Sequence, residues 1–186
     1  MDHDFSKFQF IPSVRRLGDL ETALCSDKEI ILLTEADIVN LKPLVKKVHD
    51  AGKKAWINLE LLGGFGRDTA GIKLLKNFYH VDGVMSTDST KLGIAKKMGI
   101  FTVQRFLLVD SRAFDTAIKI LKTTKVDAAE VLPGVVAQDV LMDLRNVSPI
   151  PILAGGFIRT IEEIEEIKRL GFNGLTISKK EFFGAN

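Results

Sequence analysis

Eight short runs rich in apolar and β-branched residues recur along the chain, starting near residues 8, 29, 53, 81, 100, 127, 150 and 172. Every run but the last is followed by a segment whose apolar residues repeat with helical spacing, and no other feature constrains the fold as much. Strands alternating with helices call for a parallel sheet joined by right-handed crossovers. Eight is the number of strands that closes a (β/α)8 barrel, so an α/β fold is expected, a small TIM-type barrel with short loops. An open doubly wound sheet is the alternative. At 186 residues the chain is shorter than the ~200 at the lower end of that fold. Short loops and a reduced or missing eighth helix make up the difference. No linker or shift in composition divides the chain, so 1–186 reads as a single barrel domain.

The runs are Phe8–Val14, Glu29–Thr34, Lys54–Leu61, Gly83–Thr87, Ile100–Leu108, Ala128–Gly134, a seventh through Ile152–Ala154 and an eighth through Leu175–Ile177. Glu29–Thr34 is continuously apolar in its interior, the mark of a strand covered on both faces. Asp19 is placed to cap a first helix reaching Cys25. Ile38, Leu41, Leu44, Val45 and Val48 follow helical spacing up to Gly52, with Pro43 inside the pattern as a potential kink. Further helices are expected over 69–79, 89–98, from Asp110 or Ser111, over 138–144 and over 162–170.

Composition narrows the partners less than the pattern does. The formal net charge is only +2, which by itself makes no case for a polyanion. Scattered basic pairs such as Arg15–Arg16, Lys96–Lys97 and Lys179–Lys180 read as solvated surface. One cysteine, Cys25, excludes an intrachain disulfide framework and fits a reducing compartment. No apolar run approaches the ~20 residues of a membrane span, and Met1–Asp4 lacks the pattern of a signal peptide. A cytoplasmic protein with no membrane partner is expected.

Chemistry in such a barrel belongs at the C-terminal strand ends. There the seventh run ends in Gly155–Gly156 ahead of a helix starting at Thr160, and the eighth ends in Ser178–Lys179. Glycine lets backbone approach a ligand closely, and the last two strands of these barrels commonly hold phosphate between them. Gly155, Gly156, Ser178 and Lys179 are therefore candidate phosphate-binding residues. Arg15, at the end of the first run, joins them as a strand-end cation.

Glu60, Arg105 and Glu130 each interrupt an otherwise apolar run, where an unpaired charge is costly. Either they form a structural ion pair, Glu60 or Glu130 with Arg105, or they bind and process a ligand. As an enzyme, the chain would use Glu60 and Glu130 as acid and base on a small sugar phosphate held by Arg105, an isomerase- or aldolase-like layout. No lysine lies inside a strand to form a Schiff base. None of the three histidines, His3, His49 and His80, sits at a strand end, and no His or Cys cluster offers a metal site. No metal or cofactor is expected.

Gln104–Leu108, Glu130–Val136, Ala154–Thr160 and Ser178–Glu181, together with Ile11–Arg15 and Ser86–Thr87, resemble the glycerol uptake operon antiterminator family across nearly the whole chain. The resemblance implies a barrel that senses glycerol 3-phosphate, or a related phosphate ester, and binds leader mRNA to prevent a terminator hairpin. The chain departs from the family's pattern at Glu60, Gly63 and Asp88. Too few residues follow Lys180 for a full eighth helix. Strand surface left bare beside the first helix would then be buried in a homo-oligomer, a twofold dimer.

Overall fold

In the computed structural model, which describes residues 4–66 and 68–184, eight parallel strands close into a barrel in sequential order. The acidic start Met1–His3, Arg67 of the glycine-rich loop and the end 185–186 lie outside the described residues. The strands are β1 (Gln9–Val14), β2 (Ile30–Leu33), β3 (Lys54–Asn58), β4 (Gly83–Ser86), β5 (Phe101–Leu107), β6 (Ala128–Leu132), β7 (Ile152–Gly155) and β8 (Gly174–Ile177). Between them run α1 (Leu20–Cys25), α2 (Leu41–Asp50), α3 (Thr69–Asn77), α4 (Ser89–Lys97), α5 (Ser111–Thr123), α6 (Gly134–Val147) and α7 (Ile161–Leu170). β8 pairs with β1 from Gln9↔Gly174 to Pro12↔Ile177, and that pairing makes the closed barrel rather than the open sheet.

Residues alternate between two apolar layers, as the period of two along a strand requires. Outward-facing side chains such as Ile31, Ile57, Val84, Val131 and Ala154 pack under the helices. Inward-facing Ile11, Ile30, Leu32, Trp56, Met85, Val103, Ala128 and Leu153 fill the barrel. Phe101 stacks on Trp56, and Phe5 stacks on Phe101 in turn, so the N-terminal segment extends the ring stack of the interior.

Several boundaries differ from those the sequence suggests, each for a local reason. The run Lys54–Leu61 stops being a strand at Asn58, because Leu61 and Leu62 donate their N–H groups back to the Asn58 carbonyl and Glu60 donates its own to the Asn58 side chain. Glu60 therefore lies in a turn. α2 starts at Leu41, not Ile38. Asp37 and Asn40 exchange side-chain hydrogen bonds of 2.8 Å with each other's backbone, and that turn holds Ile38 and Val39 outside the helix. Pro43 falls in the first turn of α2, where a missing N–H costs nothing, so it introduces no break. α6 is longer than expected, beginning at Gly134 directly after Pro133. Asp19 makes no capping bond to α1; its carboxylate faces Lys180 at 3.5 Å.

A 3-10 turn, Lys180–Phe182, stands where the eighth helix would be. Phe183 after it is fully buried in the outer core, with Phe182 packed beside it, and β8 is buried along its length. Two aromatics thus cover the seam that the sequence reading left bare. The surface on which a dimer was expected to form is closed within one chain.

Candidate functional site

The inward-facing positions change character toward the C-terminal ends of the strands. Two residues beyond the apolar plug stand Ser13 after Ile11, Thr34 after Leu32, Asn58 after Trp56, Arg105 after Val103 and Glu130 after Ala128. With Thr176 and Ser178 of the eighth strand end they line a cavity of about 280 Å³, which Arg15, Leu61, Gly156 and Phe157 complete at its mouth.

Arg105 and Glu130 are register partners on β5 and β6, so both point inward side by side. Arg105 donates from Nε to Glu130 Oε2 at 2.6 Å, with Glu130 only 1% and Arg105 18% exposed. Both terminal guanidinium nitrogens of Arg105 lack a protein acceptor among the described residues, in a side chain that lines the cavity. The other Glu130 oxygen accepts from Thr176 Oγ1 at 2.5 Å. Thr176 is on β8, two strands away, and the carboxylate reaches it across β7. Position 155 permits this: a Cβ there would lie 2.5 Å from Glu130 Oε1 and 2.7 Å from Thr176 Oγ1. A buried charge held by an ion pair and a hydroxyl is a satisfied one.

Gly156 follows with φ +77°, a left-handed conformation that glycine adopts without strain, and accepts from Gly134 N–H at 3.0 Å. Phe157 keeps a positive φ of 58° and remains 65% exposed over the cavity, with the Arg159 guanidinium 5.6 Å from its ring. The N-terminus of α7 is occupied by its own capping box. Thr160 accepts from Glu163 N–H at 3.2 Å, and the Glu163 carboxylate accepts from the N–H groups of Arg159 and Thr160. Any anion in the cavity is thus offered Gly156, Ser178 and the arginines rather than the first turn of that helix.

Of the eight candidate residues, Arg15, Arg105, Glu130, Gly156 and Ser178 line this one cavity. Gly155 lies beneath it, at the crossing of Glu130 and Thr176. Lys179 turns away, donating to the Arg159 carbonyl at 2.9 Å, and lines a neighbouring cleft. Glu60 is not brought to the cavity. Its carboxylate accepts from Ser86 Oγ at 2.5 Å and from Thr87 N–H at 3.2 Å. Gln104, next to Arg105, faces the opposite side of the sheet, where it accepts from Ser89 and donates to the Thr87 carbonyl. Asp88 caps α4 by accepting from Thr90 and Lys91 N–H. The Lys91 side chain, hydrogen-bonded to it, holds the Asp88 carboxyl below its ordinary value, against a smaller opposing effect of burial. Among the described residues no group of His, Cys, Asp and Glu is arranged to hold a metal ion, and no helix is long and apolar enough to cross a membrane.

Sequence reasoning missed Ser13, Thr34, Asn58, Thr176 and Phe157. The first three are uncharged and two positions beyond an inward apolar residue, so the strand period was the available signal.

A closed ring of eight parallel strands with a polar cavity at the C-terminal mouth defines a (β/α)8 barrel whose site is built from strand ends. Within that class, the family model described as glycerol-3-phosphate responsive antiterminator matches residues 10–183, and the chain belongs to that family. The crystal structure of a glycerol uptake operon antiterminator regulatory protein from Listeria monocytogenes is 27% identical, covers 100% of both chains and superposes with a TM-score of 0.92. An antiterminator-related protein from Thermotoga maritima is 28% identical, with 95% of this chain and 98% of that one covered and a TM-score of 0.84. The uncharacterized protein YgcP of Escherichia coli is 30% identical over 166 residues, 89% of this chain and 86% of its own length. A tryptophan synthase from M. tuberculosis, 13% identical with a TM-score of 0.69, shares the fold alone.

Proposed function

We propose that the protein is a transcriptional antiterminator that senses glycerol 3-phosphate, or a related small phosphate ester, in the barrel-mouth cavity and binds leader mRNA. The observation that carries the sensing half is the composition of the cavity. Two guanidiniums, Arg15 and Arg105, face a volume of about 280 Å³ that also holds five small polar side chains, Ser13, Thr34, Asn58, Thr176 and Ser178. That is a space for a few heavy atoms bearing one anionic group and several hydroxyls, and it is smaller than most drug-sized sites. In this reading the phosphate lies beside Gly156, Ser178 and Arg15, and the hydroxyls reach toward Asn58 and the Arg105–Glu130 pair. Membership in a glycerol-3-phosphate responsive antiterminator family supports the choice of ester and the regulatory role. The enzyme reading gains nothing from the geometry, since Glu60 stands outside the cavity and Glu130 is tied to Arg105 and Thr176.

Calorimetric titration with glycerol 3-phosphate, glycerol and inorganic phosphate tests the sensing half. Saturable heat with the ester, and much weaker binding of either fragment, is the expected result. Equal affinity for glycerol and the ester would contradict a phosphate site.

A further inference from the structure

A second cavity adjoins the first on the side of β1 and β8. It measures about 330 Å³ and is lined by Arg15, Arg16, Ser178, Lys179 and Lys180 with two carboxylates, Asp19 and Glu181. Arg15 and Ser178 line both cavities, so the two are neighbours. The acidic partners are already engaged: Asp19 faces Lys180 at 3.5 Å and Glu181 faces Lys179 at 3.7 Å. Neither Arg15 nor Arg16 has a carboxylate within 4 Å among the described residues, and both are exposed. Four cations against two carboxylates leave an excess here equal to the whole chain's net charge of +2. The weak overall charge is therefore no argument against a polyanion partner, because the excess is local.

We propose that this cleft is where the RNA backbone docks, one phosphodiester lying between Arg16 and Lys180, with Arg15 shared between it and the effector cavity. The proposal rests on the RNA-binding half of the reading above and adds its location. A phosphodiester suits the cleft because exposed guanidiniums give paired donors to phosphate oxygens. A shared Arg15 also gives effector and RNA a common group through which each alters the affinity of the other.

The test uses fluorescence anisotropy with a fluorescein-labelled single-stranded RNA of mixed sequence, about 16 nucleotides long, titrated at several salt concentrations. Sequence-independent phosphate binding is strongest at low salt. The variant Arg16→Ala/Lys180→Ala is expected to bind more weakly than the unchanged protein, its salt slope reduced by about 0.7 for each lost contact. The melting shift produced by glycerol 3-phosphate should stay as it was, and Arg16→Lys/Lys180→Arg should restore RNA affinity. Lys180 also holds Asp19, so Arg16→Gln alone serves if the double variant loses stability. RNA affinity and slope unchanged in these variants would overturn the cleft while leaving RNA binding itself intact. No binding by the unchanged protein at low salt would overturn both the cleft and the RNA half of the proposed function.

Discussion

Glu130 and Thr176 meet across β7 because position 155 presents a hydrogen where another residue would place a carbon 2.5 Å from the carboxylate. The sequence suggested that Gly155 admits a ligand's phosphate; the structure shows it admitting a neighbour's side chain. Gly155→Ala is expected to cost about 1–3 kcal/mol by forcing that crossing apart, read as a lower urea midpoint at constant slope. A variant as stable as the parent would refute the crossing. Arg105→Ala leaves a 1% exposed carboxylate without its cation, and removing one partner of such a pair costs about 3–5 kcal/mol. Arg105→Met/Glu130→Leu should recover most of that loss, since an apolar pair has no charge to desolvate. If Arg105→Ala keeps its affinity for glycerol 3-phosphate despite losing stability, the pair is structural and does not contact ligand. Arg105 and Glu130 could be read from sequence because a charge within an apolar run demands a reason. Ser13, Asn58 and Thr176 offered only the fainter signal of the strand period, because a small hydroxyl or amide sits in a strand at little cost.

Among the elements, strands were legible and their ends were not. Apolar runs mark what the core needs, whereas ends are set by single side chains competing for backbone groups. Asn58 ends β3 in this way, and so removes Glu60 from the strand that its run implied. Arg105 and Gln104 show the same limit from another side: adjacent in sequence, they face opposite sides of one sheet. Asp88 serves α4 as its N-cap. Asp88→Ala is expected to cost about 1 kcal/mol. The Lys91 hydrogen bond depresses the folded-state value of this carboxyl, so its contribution is fully present above the unfolded value near ~3.9 and is lost as pH falls through the lower folded value. Stability of the parent and Asp88→Ala should therefore converge in acid. A difference that persists once the carboxyl is protonated in both states would show that the ionised carboxylate is not what stabilises the helix.

For the whole molecule, the closed barrel was legible from the number and spacing of its strands, but the covering of its last seam was not: Phe183 finishes what an eighth helix would have covered. With that seam buried, light scattering is expected to give the mass of one chain, 20.6 kDa. Twice that mass would place a contact elsewhere, and the exposed side chains Leu107, Val109, Val135 and Phe157 near the ends of β5, β6 and β7 are where it would be sought. The central claim is that the barrel mouth holds a phosphate ester beside Gly156. A ligand that binds only the folded state raises the melting temperature as its concentration rises through Kd. Valine at 156 would have to adopt φ near +77°, which costs about 1–3 kcal/mol and displaces the backbone. The direct measurement is the melting temperature of the parent and of Gly156→Val across a glycerol 3-phosphate titration. A rising curve for the parent and a flat one for the variant is the predicted result; no rise in the parent, or the same rise in both, would contradict it.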